Sequence, residues 1–145
     1  MIVENKVGML AVADHSLILA LNETRKTLLA SRLMISDRSK QRAATAENIL
    51  PGDGVWIEAC NQVDTSLMRA SLDLLFLDSD HRVVAAVTDV RPGSACPEVE
   101  KAVGVLELAA GTIQLSQTEK GDHVVLEPIV PPRTSEPANA RTSRS

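Results

Sequence analysis

Hydrophobic positions in this chain come in short runs separated by polar turns, a pattern of strands more than of helices. Residues 15–22 are mostly apolar and free of chain breakers, which predicts a strand, and Asn22, Glu23, Thr24 and Arg25 make a polar turn. Residues 26–36 then put Leu29, Leu33 and Ile35 on one face and Leu28, Ala30 and Met34 on the other, so a second strand completes a hairpin. A helix over 26–35 is the alternative, because Leu, Ala, Arg and Met are good helix formers. Ser36 or Asp37 is placed to cap a helix over 38–50. Ala43, Ala46, Ile49 and Leu50 share one face of it, and Pro51 with Gly52 stops it.

Residues 55–57 read as a short strand. Residues 67–78 carry Leu72, Leu74 and Phe76 on one face and Leu75 and Leu77 on the other, which predicts a strand covered on both sides and central in its sheet. Asp78, Ser79, Asp80 and His81 turn the chain, and the Val-rich residues 82–90 return it as a second hairpin. Pro92, Gly93 and Pro97 mark a loop with a helical turn over 98–102. A strand follows over 103–108, a short helix opens at Ala110 and Gly111, Lys120, Gly121 and Asp122 turn, and residues 123–127 close the sheet. From Pro128 on there is almost nothing to bury, so residues 1–127 are expected to form a single domain and 128–145 a disordered Pro/Arg/Ser-rich tail. The expected class is α+β: a mostly antiparallel sheet curled towards a small β-barrel, with one principal helix and short accessory helical turns.

Composition narrows what such a fold can do. One Trp (Trp56), one Phe (Phe76) and no Tyr in 145 residues leave the core to aliphatic side chains, and they argue against functions built on aromatic stacking. The net charge is −4, and residues after Glu127 carry Arg133, Arg141 and Arg144 against Glu136, so the body holds −6. An acidic body repels phosphate backbones, and nucleic acid is not expected as a partner. No run of eighteen apolar residues is present, so no membrane span is expected. The first residues show no leader pattern, which with two cysteines, Cys60 and Cys96, read as reduced thiols, suggests a cytoplasmic protein.

Several spaced motifs carry a resemblance. Gly54-Val55-Trp56-Ile57, Cys60, Thr65, Met68-Arg69, Asp73 and Phe76-Leu77-Asp78 are followed by Val105-Leu106-Glu107-Leu108-Ala109-Ala110-Gly111-Thr112 and Lys120-Gly121-Asp122. With the Asn22–Arg25 turn, this order resembles the signature of the DUF192 family, a domain of unknown function, over about residues 15–127. The chain departs from the family pattern at a histidine position, now Asp64, at aromatic positions, now Ser66, Leu67 and Ala70, at a proline, now Ser71, and at a tryptophan, now Gly93. The family's Arg-x-x-Gly-Leu-Leu helix becomes Arg42-Ala43-Ala44-Thr45-Ala46. The resemblance implies a divergent member stripped of the family's aromatic surface.

The densest polar cluster in an apolar setting is Asp64, Thr65, Arg69 and Asp73, the candidate ligand-binding residues. Arg69 and Asp73 lie four apart, so a strand would aim both at one face, where they could hold an anion or merely close the strand with an ion pair. Asp78, Asp80 and His81 invite a metal reading, but they lack the further ligands of a calcium loop and suit a β-turn better. His15, His81 and His123 are isolated, Gly93-Ser94-Ala95-Cys96 is no nucleophile elbow, and the glycines cradle no phosphate, so no cofactor, metal or catalytic residue is expected. Two functions stand: a non-catalytic binding or accessory module for a protein partner or small ligand, and, as the alternative, a small hydrolase-like enzyme using Asp64, Arg69 and Asp73. The missing histidine favours the first, because acid–base work at neutral pH most often falls to His.

Overall fold

A computed structural model describes residues 17–37 and 49–129. The expected principal helix over 38–50 and the tail after Ile129 fall outside the described residues, apart from Ile49 and Leu50, which are not helical. Eight strands run in chain order: β1 (Leu17–Asn22), β2 (Thr27–Ala30), β3 (Arg32–Asp37), β4 (Asp53–Glu58), β5 (Leu72–Leu77), β6 (Val83–Val90), β7 (Gly104–Ala109) and β8 (Val124–Ile129). A five-residue helix, α1 (Thr112–Ser116), and one 3-10 turn (Thr65–Leu67) join them.

Among the described residues the fold is mostly β, with two sheets, one short helix and no closed barrel. The smaller sheet has the order β2-β1-β8, and the larger β3-β4-β7-β5-β6. Both expected hairpins form: β1 pairs antiparallel with β2 and β5 with β6. The single strand expected over 26–36 is instead two, broken at Ser31 and assigned to different sheets. Ser31 and Arg32 both donate their backbone N–H groups to the Gly52 carbonyl, at 2.8 and 3.1 Å, so the chain turns over Gly52 and leaves β1 for β4. β3 runs parallel to β4, a pairing that needs a crossover connection.

Strand alternation sorts the larger sheet's side chains into two layers. One face carries Trp56, Leu75, Leu77, Leu106 and Leu108, which pack with Ala20, Leu29, Ala30 and Val124 of the smaller sheet and with Ile113 of α1. The other carries Val55, Ile57, Leu72, Leu74, Phe76 and Val105. Cys60, Val63, Met68 and Ala102, from the loops before β5 and before β7, cover that second face, with Cys96 and Val99 packed beside them. All six residues of β5 and of β7 are buried, which agrees with the double-sided apolar pattern of the sequence. Residues Ile18–Glu127 form one compact unit, and every site discussed below lies in it.

Candidate functional site

The four residues singled out in the sequence do not converge. β5 begins at Leu72, so the 3-10 turn and an irregular stretch replace the expected strand start at 67. Asp64 causes this locally: its exposed carboxylate caps the turn, accepting from the Ser66 N–H at 3.1 Å and the Ser66 hydroxyl at 2.6 Å. Thr65 is buried, and its hydroxyl donates to the Ser94 carbonyl while its own carbonyl accepts from Gly93 N–H at 2.9 Å. These bonds lash the 60–71 loop to the 91–97 loop. Arg69, expected to share a strand face with Asp73, lies before the strand, is exposed, and makes no ion pair with a described residue.

Asp73 is fully buried on the opposite layer, since its register partner is Leu108. One carboxylate oxygen accepts from Asp89 N–H at 2.9 Å, and the other from Gly111 N–H at 3.1 Å and Ile113 N–H at 2.8 Å. The first bond holds Asp89 at φ 53°, where the β5–β6 register shifts, and the other two satisfy the free amides at the start of α1. A carboxylate with both oxygens so engaged fixes structure.

A second polar knot joins the turn at residues 22–25 to the turn at 120–122. Buried Asn22 donates to Thr118 Oγ1 at 2.8 Å and to Asp122 Oδ2 at 3.0 Å, and its own side-chain oxygen accepts from Arg25 N–H at 3.0 Å. Asp122 also accepts from Glu119 N–H and from Arg25, which pairs with Glu119 as well. At the edge of this region His123 meets Glu23 at 2.7 Å and draws the Glu23 carboxyl below its ordinary range. A cleft of about 330 Å³ beside it is lined by Leu21, Glu23, Lys26, Thr27, Val125 and Glu127, together with Asn22.

Glu107 behaves differently from all of these. It is the one charged residue type in β7, its side chain is fully buried, and neither carboxyl oxygen has a hydrogen-bond partner among the described residues. Its register partners are Val55 on β4 and Leu74 on β5, both aliphatic and both in the second layer. Burial alone pushes its pKa up to about 8, so it is held as a neutral acid at neutral pH. Leaving such a group unpaired costs about 1–3 kcal/mol. A charged residue between Leu106 and Leu108 is visible in sequence, and its cost signals a site more clearly than any residue of the 64–73 cluster.

The remaining candidates resolve into local roles. Asp78 accepts from the N–H groups of Asp80 and Arg82, each at 2.9 Å, and so builds the β5–β6 turn. Cys60 and Cys96 are not joined by a disulfide, and Gln62 links them: Cys60 Sγ donates to the Gln62 carbonyl at 3.0 Å, and Gln62 Nε2 donates to the Cys96 carbonyl at 2.9 Å. Among the described residues, no three His, Cys, Asp or Glu side chains gather as metal ligands, and no helix is long and apolar enough to cross a membrane.

The DUF192 family model, described as an uncharacterized ACR, matches residues 21–126. No curated protein matches the chain. Two solved structures are similar in fold. A protein of unknown function from Novosphingobium aromaticivorans DSM 12444 superposes with a TM-score of 0.64 at 15% identity, covering 76% of this chain and 84% of that one. A protein from Sinorhizobium meliloti 1021, named as a candidate transcription regulator, superposes with a TM-score of 0.59 at 18% identity, covering 77% of this chain and 92% of that one.

Proposed function

Because the chain belongs to the DUF192 family, whose activity is uncharacterised, we propose from its own side chains that it is a non-catalytic binding module. The observation that carries this reading is Glu107, a buried acid in an aliphatic layer with both oxygens unpartnered among the described residues. The other polar residues at motif positions, Asn22, Asp73 and Asp122, have their hydrogen bonds answered within the fold. Among the described residues, Glu107 is the buried polar side chain with hydrogen-bonding capacity left for something else. Apolar residues of the 60–71 and 91–103 loops cover its layer, and in this reading the exposed Asp64 and Arg69 of the first loop, with Thr65 buried beneath them, would be the polar groups that a ligand or partner meets on approach. Asp73 supports this site from behind the sheet. The acidic charge of the body and two cysteines outside any disulfide fit a protein that works in a reducing compartment without nucleic acid.

The hydrolase-like alternative needs Asp64, Arg69 and Asp73 around one reacting group. Asp73 faces the other layer with both oxygens occupied, so this reading has little support.

A thermal-shift screen of the wild-type chain against metabolites tests the proposal, since a ligand that binds only the native state raises Tm. The expected hit loses its effect in Glu107→Leu and is weakened in Arg69→Ala. A library that leaves Tm unchanged throughout overturns small-molecule binding.

A further inference from the structure

We propose that Glu107 is the anchor of a proton-dependent site for a small neutral ligand that pairs an apolar body with a primary carboxamide. The inference rests on the binding-module reading above and names the ligand chemistry of the same site.

The walls set the first half of that chemistry. Val55, Leu74 and Val105 lie nearest to Glu107 on the sheet, with Ile57, Leu72 and Phe76 further along the same face. Nothing in that set offers a hydrogen bond through its side chain, so a ligand entering here gains by burying hydrocarbon. The roof is the 60–71 and 91–103 loop pair, held across the layer by Thr65 to Ser94, Gln62 to Cys96 and Asn61 to Glu98. The last two ties are exposed, and polar bonds at the surface open at small cost. Entry therefore requires displacing loops and leaves the sheet intact.

The protonation state of Glu107 sets the second half. An ionised carboxylate would have to be desolvated with its counter-ion, and a buried ion pair recovers that cost only with excellent geometry and further hydrogen bonds. The aliphatic walls supply no such bonds. A neutral carboxylic acid instead presents one O–H donor beside one carbonyl acceptor. A primary amide presents the complementary acceptor and donor, and the two groups close a paired ring of hydrogen bonds with no charge buried. Among the described residues, few other titratable groups belong to this layer. Cys60 and Cys96 are the thiols of the layer, Asp53 on the Val55 side of β4 is paired with Arg32, and Asp73 lies across the sheet.

Hexanamide is the probe and hexylammonium the counter-probe, each titrated into the full chain at pH 6.5 and 9.5 and followed by NMR of the Glu107 carboxyl. Hexanamide is expected to bind at pH 6.5 and to weaken by about tenfold for each pH unit above the titration point of the acid. Glu107→Gln carries a donor and an acceptor side by side at every pH, so it is expected to keep binding and to lose the pH dependence, while Glu107→Leu loses binding. Tighter binding of hexylammonium with rising pH, abolished in Glu107→Gln, overturns the assignment in favour of a cation site. Failure of both probes overturns the ligand class alone. The small-molecule form of the binding-module reading falls separately, on an unresponsive metabolite screen.

Discussion

The indole of Trp56 occupies the space that a side chain at position 104 would need. A Cβ built on Gly104 would run into ring atoms Cη2, Cζ2 and Cζ3 of Trp56, which is itself 4% exposed. The ring is large and held on other sides by the first apolar layer, including Leu106 and Leu77, so it has no direction of retreat. Gly104→Ala is expected to destabilise the fold by about 2–3 kcal/mol, the upper part of the usual overpacking range. Urea unfolding followed by the fluorescence of the single Trp measures it, and an unchanged midpoint refutes the packing argument.

Asp73→Ala removes the acceptor of three backbone N–H groups at once. Two adjoining segments lose their attachment, the Asp89 bulge and the start of α1. A loss of roughly 3 kcal/mol or more is expected from unsatisfied buried donors. Asp73→Asn keeps one acceptor oxygen and should fall between that variant and the wild type. Amide hydrogen exchange at Asp89, Gly111 and Ile113 should accelerate in both variants, and unchanged protection there would disprove the role.

Glu107 makes stability depend on pH. Its folded pKa, about 8, stands above the ordinary 4.5, so between those values the native state keeps a proton that the unfolded chain has released. The stability contribution is whole below pH 4.5, falls as pH rises, and is gone above about 8; the loss is of the order of 5 kcal/mol. Glu107→Gln and Glu107→Leu should flatten that decline, and Glu107→Leu should exceed the wild type at pH 8 because it removes an unpaired buried acid. Denaturant midpoints from pH 5 to 9 check the sign. A wild-type curve that rises over this window would mean Glu107 is charged in the fold.

Asn22 and Asp122 share a direct bond and the neighbour Arg25. Asn22→Ala and Asp122→Ala should each destabilise, and the pair should be less damaging than the sum by about 1–2 kcal/mol, as expected within one network. A double-mutant cycle gives this coupling directly, and strict additivity would show that the two turns are held independently.

Arg69→Ala should leave stability within about 0.5 kcal/mol of the wild type, since the side chain is exposed and forms no ion pair with a described residue. Any effect belongs to binding. A clear loss of stability would turn Arg69 into a structural residue and remove it from the proposed rim.

The strands were legible because their signal is local. Alternating Leu, Val and Ala from β5 through β6 need no knowledge of the rest of the chain to read as a hairpin, and the unbroken apolar run of β5 marks burial on both faces. The break at Ser31 was not legible, because apolar residues continue through it and its cause is the carbonyl of Gly52, distant in sequence. Asp73 misled for a related reason. Its spacing from Arg69 suggests a shared strand face, whereas its partners are backbone amides on β6 and at α1, groups that every residue carries and no residue type announces. Arg69 fell outside that face because Asp64 caps a 3-10 turn and delays the strand. Glu107 was visible within the Val105–Leu108 motif, but a motif position does not reveal whether a charge is paired. That depends on what lies opposite, here Val55 and Leu74.

The strand order of the larger sheet also governs how the protein can be made. β7 lies between β4 and β5, yet it is the last of the five to be synthesised. Until residue 109 has emerged from the ribosome, β3 with β4 and β5 with β6 are two separate ribbons, each with an apolar edge open where β7 will insert. Pairing of that kind joins segments far apart in sequence and is slow. The nascent chain is therefore exposed to edge-to-edge association between the completion of β4 at Glu58 and that of β7 at Ala109, and a chaperone that shields strand edges should raise the yield of folded protein more than one that shields isolated helices.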